Sequence, residues 1–514
     1  MTLVELTPLD WAVVLGYIGV TLYLGLFVRR LAERDATHYF LAKRKLPWWL
    51  GAAGFGASAT SVDTPMWFAY LLYSLGTSAI FVAPDWVHGL TSLLYARRFR
   101  ALRVWTVAHL EEKRFTGLAG AWSRANWAAG AVNGIIWTLA WVNYAIGLVM
   151  SMLLGWDPLL AMIVVSLLAW VYVFVSGAWG TAMTQMMQFT WLLTAFAVVA
   201  YYTVTAAGGL ANIAAHPPTP TFYDPFASTP EWPVYMTGLL IFHQIWYGLG
   251  ELGYGAGMQR IFTSKDLIHA TATGITDAVY IQVRNFLWGI TIIAALAVLM
   301  PHLPETEVQK IWYYCALAYP PPGVRGFVVA GILAIYMASV SIMINTAANY
   351  LAWDWYKRFF NPEAPDKRVI LVGRISSIYV IVISWYIGWV YYYFAALPIG
   401  VVYAWGAIVG AAAGWPWVLK WLYWRVNLWA LNAMSLIQQL TFWLYYIWPA
   451  GGSLAEYVLS VYFYALIGSW GLFVMALLLT KPDPLDKLAE LYAVARMPGA
   501  WGPVKKLAEE RGLV

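Results

Sequence analysis

The sequence predicts an all-α integral membrane protein of about thirteen helices, ten of them forming two inverted repeats of five. Three observations carry this. Of the 514 residues, 61% are hydrophobic and 11% charged, a balance that no ordinary soluble domain holds. The apolar runs are continuous over about the 20 residues that a membrane helix needs, whereas the strands of a membrane barrel would alternate. Basic residues also crowd into alternate connections, as expected of a chain that crosses a bilayer repeatedly.

Taken in order, the candidate spans are residues 11–28, 48–75, 77–95, 121–154, 159–175, 183–206, 234–257, 275–300, 326–353, 369–395, 399–421, 428–448 and 454–479. Arg29, Arg30, Arg34, Lys43, Arg44 and Lys45 follow the first, and a comparable basic group from Arg97 to Arg114 follows the third. The connections after the seventh, ninth and eleventh are basic too, whereas residues 208–233 contain no Lys or Arg. Cytoplasmic loops hold the excess of positive charge, which puts the amino terminus outside and the carboxyl terminus in the cytoplasm of a multi-pass plasma-membrane protein. That orientation requires an odd number of spans. The formal net charge of +6 is therefore topological; no nucleic-acid partner is expected, and oligomeric state does not follow from these residues.

The 32 Trp and 34 Tyr suit belts at headgroup depth. A single cysteine, Cys315, leaves no disulfide framework or cysteine-ligated cluster, and no cleavable signal is evident at the start. Residues 301–326 read as an outside connection, and 482–514 as an amphipathic cytoplasmic tail lying on the surface.

Intramembrane charge and helix-breaking sequence are the informative exceptions, since lipid tolerates neither without an internal partner. The second span holds Thr60, Ser61, Val62, Asp63, Thr64 and Pro65 between a small-residue half and an aromatic half. Pro65 removes a donor and clashes with the preceding turn, so the helix breaks near 61–64. Carbonyls freed there suit a cation, and the amino end of the second half suits an anionic group. The seventh span places five glycines and Glu251 in one apolar run, another poor straight helix. These two spans lie five apart and start from opposite faces, which is the pattern of inverted repeats (residues 48–206 and 234–421) around a midplane site. Residues 11–28 add one helix before this core and 428–479 add two after it. In the ninth span, Ser339, Ser341, Asn345 and Thr346 offer oxygen to a hard cation or pack helices by bonding the preceding turn.

Several ordered motifs are similar to those of the sodium/solute symporter family, the relatives of the sodium-galactose and sodium-proline symporters. Phe40 to Trp48, FLAKRKLPW, resembles the family's F-L-A-G-R-x-L-P-x-W; TVAHLEEKRF at 106–115 resembles T-V-P-E-F-L-x-x-R-F; SGAWGTAMTQMMQ at 176–188 resembles G-G-x-x-A-V-x-W-T-D-x-x-Q. MQRIFTSKD at 258–266, WDWYKRFFNP at 353–362 and the tail ending in Gly499, Ala500 and Trp501 also have counterparts. The resemblance implies a leucine-transporter-type fold that couples solute uptake to a sodium ion by alternating access, and no enzymatic activity. It places sodium-ligating carbonyls at Ala57, Thr60 and Ile335 and hydroxyl positions at Ala338 and Ser339, with Asp63 and Trp67 matching the proline-symporter branch.

Two departures stand out. Ala338 has no hydroxyl, and Gln185 replaces the acidic residue of the T-D pair. Fewer ligands and less charge weaken a hard-cation site, so Ser341 or Asp63 compensates, or protons replace sodium through Asp63 or Glu251. A haem subunit, suggested only by His88 and His243, would need more converging histidines, and the short tail is too small for a sensor's output domain. Substrate contacts are expected from Asp63, Trp67, Tyr247, Glu251 and Tyr254, with Asn133 and Trp137 on the fourth span. Asp85, Asp277, Arg284 and Arg374 are candidates for internal ion pairs. Glu251 among aromatics favours a cationic or hydroxyl-bearing small-molecule solute, because a monocarboxylate calls for an arginine that the midplane is expected to lack.

Overall fold

The computed structural model describes residues 5–27, 35–79, 87–225, 255–395, 419–434, 467–468 and 470–514. Among these, the regular elements are helices, joined at two isolated β-bridges. They include α1 (Pro8–Phe27), α2 (Trp48–Ser58), α3 (Thr64–Leu75), α4 (Gly117–Leu154), α5 (Pro158–Ala206) and α6 (Gly255–Thr263). After these come α7 (Leu267–Ala294), α8 (Ile311–Ala318), α9 (Val324–Asn349), α10 (Asp366–Val390), α11 (Leu485–Ala495) and α12 (Gly502–Glu510). Six helices among the described residues are long and apolar enough to cross a membrane. The seventh, eleventh, twelfth and thirteenth candidate spans lie largely outside the described residues.

Burial sorts the helices. On α1 the buried residues Asp10, Val14, Tyr17, Thr21 and Gly25 form one stripe at helical spacing, while Leu15, Tyr23 and Phe27 on the rest of the surface are more than half exposed. In α9 every residue from Gly326 to Asn349 except Phe327 and Met343 is buried, so this helix is the axis of the bundle. It packs most extensively on α5 and also meets α1, α2, α4 and α10. Small residues along α9 allow that close approach. The Asp10 carboxylate fixes its amino-terminal end, accepting from the amides of Gly323 and Gly326 at 2.7 Å each, donors that an isolated helix start leaves unsatisfied.

Two expectations are corrected and one junction is defined. In α5 the fifth and sixth spans meet without a loop, as two helices kinked at Gly177, where φ is +54°. A Cβ there would sit 2.7 Å from the Tyr39 carbonyl oxygen, so only glycine fits the turn. The connection at 301–326 is not merely a loop, since it contains α8, with Ile311, Trp312, Tyr313, Cys315, Ala316 and Leu317 buried. Its apolar run is too short to signal a span, and its aromatic content reads equally well as an interfacial loop. The tail is not a surface helix. Its residues Leu488, Ala489, Leu491, Val504 and Ala508 are buried against protein, and Trp501 is inserted with its indole donating to the Trp421 carbonyl at 3.0 Å.

Candidate functional site

The second span breaks where the sequence predicts. The first half, α2, ends at Ser58, and α3 begins at Thr64 with Pro65 in its first turn, a position that needs no amide donor. Thr60 hastens the ending by donating its hydroxyl to the Gly56 carbonyl at 2.7 Å, which competes with the helical ladder.

Each carbonyl from Ala59 to Val62 then finds a donor outside the ladder. Ala59 accepts from Arg284 Nη1 at 2.6 Å and Thr60 from Ser339 Oγ at 2.7 Å. Ser61 accepts from the Thr64 amide at 3.1 Å and Val62 from the Tyr313 hydroxyl. These donors come from α7, α9, α3 and α8, so four elements hold the unwound stretch in a region where a bare carbonyl would be costly. Burial and then the nearby Asp63 carboxylate push the Tyr313 hydroxyl well above its ordinary pKa, keeping it a donor. Asp63 is fully buried and accepts from Ser61 Oγ; its side chain makes no cap to α3.

At the Thr60 side of this break, Ser339 Oγ lies 2.7 Å from both the Thr60 and the Ile335 carbonyl oxygens. One hydroxyl has one proton and can satisfy only one of them at a time. The three oxygens therefore form a neutral, buried nucleus suited to a cation. Ala57 stands at the end of α2, its carbonyl accepting from the Thr60 amide at 3.3 Å. Among the described residues no group of three or more His, Cys, Asp or Glu could hold a metal ion.

Ala338 and Ser341 face another partner. Gln185 Nε2 donates to the Ala338 carbonyl at 2.9 Å and lies 3.3 Å from Ser341 Oγ, which itself donates to Ala338 at 2.8 Å. Two residues along a helix rotate the side chain by about 200°, which turns Ser341 toward α5 and away from the break. Arg260 donates to the Gln185 amide oxygen, and its passage requires Gly54, where a Cβ would lie 2.6 Å from Arg260 Nε.

Other expected residues divide. Trp67 is partly buried, one turn beyond Asp63 on α3. Asn133 and Trp137 are exposed on α4, with Trp137 edge-on to Tyr391 at 6.0 Å; the structure does not bring them to Asp63. Tyr247, Glu251 and Tyr254 lie outside the described residues, as do His243 and Asp85. Arg374 donates to the Phe174 carbonyl at 3.2 Å and lies over the Tyr39 and Phe174 rings. The expectation of a midplane without arginine is corrected by Arg284, which is 2% exposed at the break itself. Its position in an apolar helix gave a signal of function, but only the packing of α7 on α2 shows which carbonyl it meets.

Away from the break, the structure holds a second charged cluster that the sequence reading missed. Arg124 on α4 donates to Asp354 and to Glu112 at 2.6 Å each, and Arg358 reaches Glu112 at 2.9 Å. Lys420 meets Glu111 at 2.5 Å. Arg114, wholly buried, donates to the Lys420 and Val426 carbonyls at 2.7 Å. Burial lowers its pKa to about 10 against the opposing pull of Asp483 and Glu111, so it remains charged. Nearby His109 is lowered to about 3, by burial first and then by Arg124 and Lys113.

The family model described as Sodium:solute symporter family matches residues 39–438. A sodium/glucose cotransporter of Vibrio parahaemolyticus is 23% identical over 413 residues, 74% of each chain. The osmoregulated proline transporter OpuE of Bacillus subtilis is 25% identical over 429 residues, 78% of this chain and 82% of its own. Among solved structures, the substrate-bound outward-open state of a Na+-coupled sialic acid symporter matches with a TM-score of 0.76 at 18% identity, covering 93% of this chain and 99% of that one; at this identity the likeness is one of fold. The chain belongs to the sodium:solute symporter family, and is a multi-pass membrane transporter that couples a solute to sodium rather than an enzyme.

Proposed function

We propose that this protein imports a small polar solute together with sodium by alternating access across the plasma membrane, with the amino terminus outside and the tail in the cytoplasm. The working core is the ten-helix inverted repeat of residues 48–206 and 234–421, with 11–28 and 428–479 as added helices. The observation that carries the reading is the convergence of Thr60 O, Ile335 O and Ser339 Oγ at the break in the second span. Ala57 completes the carbonyl set. Ala338 adds no side-chain oxygen, and Ser341 serves Gln185 in the arrangement described, so sodium is held by few ligands and weakly. Solute contacts fall to Asp63 and Trp67, with Tyr247, Glu251, Tyr254, Asn133 and Trp137 as further candidates. Two of the named relatives are a glucose cotransporter and a proline transporter, which supports an uncharged or zwitterionic polar solute.

The experiment is thermal unfolding in sodium against potassium at equal ionic strength, because a ligand that binds only the folded state raises apparent stability. A sodium-specific rise that Ser339→Ala abolishes is expected. Equal curves in the two salts would overturn sodium binding and favour proton coupling through Asp63, a second reading motivated by Ala338 and by Gln185 in place of a carboxylate. Uptake driven by a pH gradient and lost in Asp63→Asn would then establish it.

A further inference from the structure

The outer face of α5 borders an open cleft. Met183, Met186, Met187, Thr190, Trp191 and Thr194 recur at helical spacing along one side of this space of about 630 Å³, and Leu24 of α1, Trp49 and Leu50 of α2 and Phe327 of α9 complete its lining. The second half of α5, α1 and α9 are each long and apolar enough to cross a membrane, so the cleft opens at hydrocarbon depth. The donors of its polar side chains on α5 are spent within the protein. Thr190 Oγ1 donates to the Met186 carbonyl at 3.0 Å, Thr194 Oγ1 to the Thr190 carbonyl at 2.9 Å and Trp191 Nε1 to the Phe327 carbonyl at 3.0 Å. What fills the cleft is therefore apolar. From Met183 to Thr194 the stripe rises about 16 Å, close to the roughly 15 Å that one leaflet contributes to the hydrocarbon core.

One end of the stripe is marked by charge. Leu50 shares a cluster with Ala42, Leu46, Ala178 and Ala182, and Met186 packs against it, which sets the turn Ala42–Lys45 at the Met183 end. Ala42, Lys43 and Arg44 all have positive φ, of 47°, 52° and 55°, a conformation that costs residues with a Cβ. Arg44 fastens this turn by donating to the Phe262, Arg103 and Val104 carbonyls at 3.1, 2.9 and 2.8 Å. Lys43 and Lys45 on either side are left exposed, with no ion-pair partner among the described residues. Trp48 and Trp49 follow at once, 39% and 43% exposed, as rings at headgroup depth are.

We propose that this cleft binds an anionic phospholipid, with one acyl chain along the α5 stripe and the phosphate at Lys43 and Lys45. The chain replaces open space beside Met183, Met186 and Met187, whose flexible thioethers adapt to an irregular apolar partner. A zwitterionic lipid fills the cleft equally well, but its headgroup carries no net charge to the two lysines, and each lysine near the surface is worth about fivefold in favour of an anionic one. In the orientation proposed above, the lipid belongs to the cytoplasmic leaflet. Neither sodium nor solute is needed for it to bind.

The test is native mass spectrometry of the full-length protein, delipidated in detergent and titrated with phosphatidylglycerol or with phosphatidylcholine of the same chains. The wild type is expected to take up one phosphatidylglycerol at least about tenfold more tightly than phosphatidylcholine. The double variant Lys43→Gln, Lys45→Gln should lose about thirtyfold in phosphatidylglycerol affinity and keep its phosphatidylcholine affinity. Lys505→Gln, Lys506→Gln, equally exposed on α12, should change neither. Thr190→Phe fills the cleft and should abolish the single adduct of both lipids at concentrations that saturate the wild type; Thr194→Phe serves the same purpose should the first variant not fold. Equal affinity of the wild type for the two lipids would overturn the proposal, as would a loss of phosphatidylglycerol binding that is no larger at Lys43 and Lys45 than at Lys505 and Lys506. Unchanged adducts in a folded cleft-filling variant would overturn it too, and displacement of phosphatidylglycerol by free glycerol phosphate at equal concentration would do so by assigning the lysines to a soluble anion.

Discussion

The helix break and the charged cluster around Arg124 are both buried in the bundle, and they present different oxygens to a cation. At the break, the proposed sodium nucleus is three neutral oxygens, those of Thr60, Ile335 and Ser339. In the cluster around Arg124, Arg124, Arg358 and Lys420 meet full carboxylates on Asp354, Glu112 and Glu111. Neutral oxygens hold a cation loosely enough for it to leave, whereas a buried ion pair is hard to separate because either partner alone is left uncompensated. The first arrangement suits a site that must load and unload. The second suits a firm joint between α4, the helical turn Tyr350–Phe360 that follows α9 and the loop helix Val107–Arg114.

The largest effect is expected from Arg124→Met, which takes the arginine from buried Asp354 while Glu112 keeps Arg358, and should cost about 3–5 kcal/mol. Thermal unfolding reads this, and the double variant Arg124→Met, Asp354→Leu should recover much of the loss if the pair is a joint rather than a source of net stability. Next, Ser339→Ala should erase a sodium stabilisation worth about 2.7 kcal/mol at one hundred times the dissociation constant, while changing stability in potassium by only about 1 kcal/mol. If both salts shift together, Ser339 is structural and the contrast between the regions fails. Tyr313→Phe leaves the Val62 carbonyl without its donor and should cost about 1–3 kcal/mol, with a cost near zero in chemical denaturation counting against the four-sided clasp.

Gln185→Glu makes the break more like the cluster around Arg124 by setting a carboxylate against Arg260. Tighter sodium binding by about tenfold, roughly 1.4 kcal/mol, is expected; weaker binding would mean that the amide's bond to Ala338 matters more than charge. The smallest effect is a pH slope. His109 is held neutral, with its pKa lowered to about 3 from about 6.5 in the unfolded chain. The unfolded state therefore binds the extra proton as pH falls, so the stability contribution is complete above about 6.5 and is lost progressively toward about 3. His109→Asn should flatten that part of the stability profile, and an unchanged slope between pH 6 and 4 would remove His109 from the account.

How much was legible differs along the chain. Pro65 and the small residues around Gly51 announce the break because their backbone chemistry is local. The nucleus at Ser339 was reached only by resemblance, since serine in an apolar helix reads equally as packing. Arg124 and Glu112 lie in stretches that merely look basic or solvated, and the contact between Arg124 and Asp354 joins positions 230 apart in sequence. Arg284 was visible as a charge out of place, yet its partner on α2 is 225 residues away, and no periodicity encodes that distance.

By itself the sequence determined that this chain is a helical membrane protein, where its second span breaks and which family it resembles, because hydropathy, proline geometry and motif order act over a few residues or are read by comparison. Only the tertiary structure decided that two helices meet without a loop at Gly177, that α8 is buried, that the tail inserts Trp501 into protein, and which side chain answers each freed carbonyl. Those outcomes depend on which helices pack side by side, and packing is a property of the whole bundle: a carbonyl released by one helix selects its donor from whatever neighbour the remaining chain brings within reach.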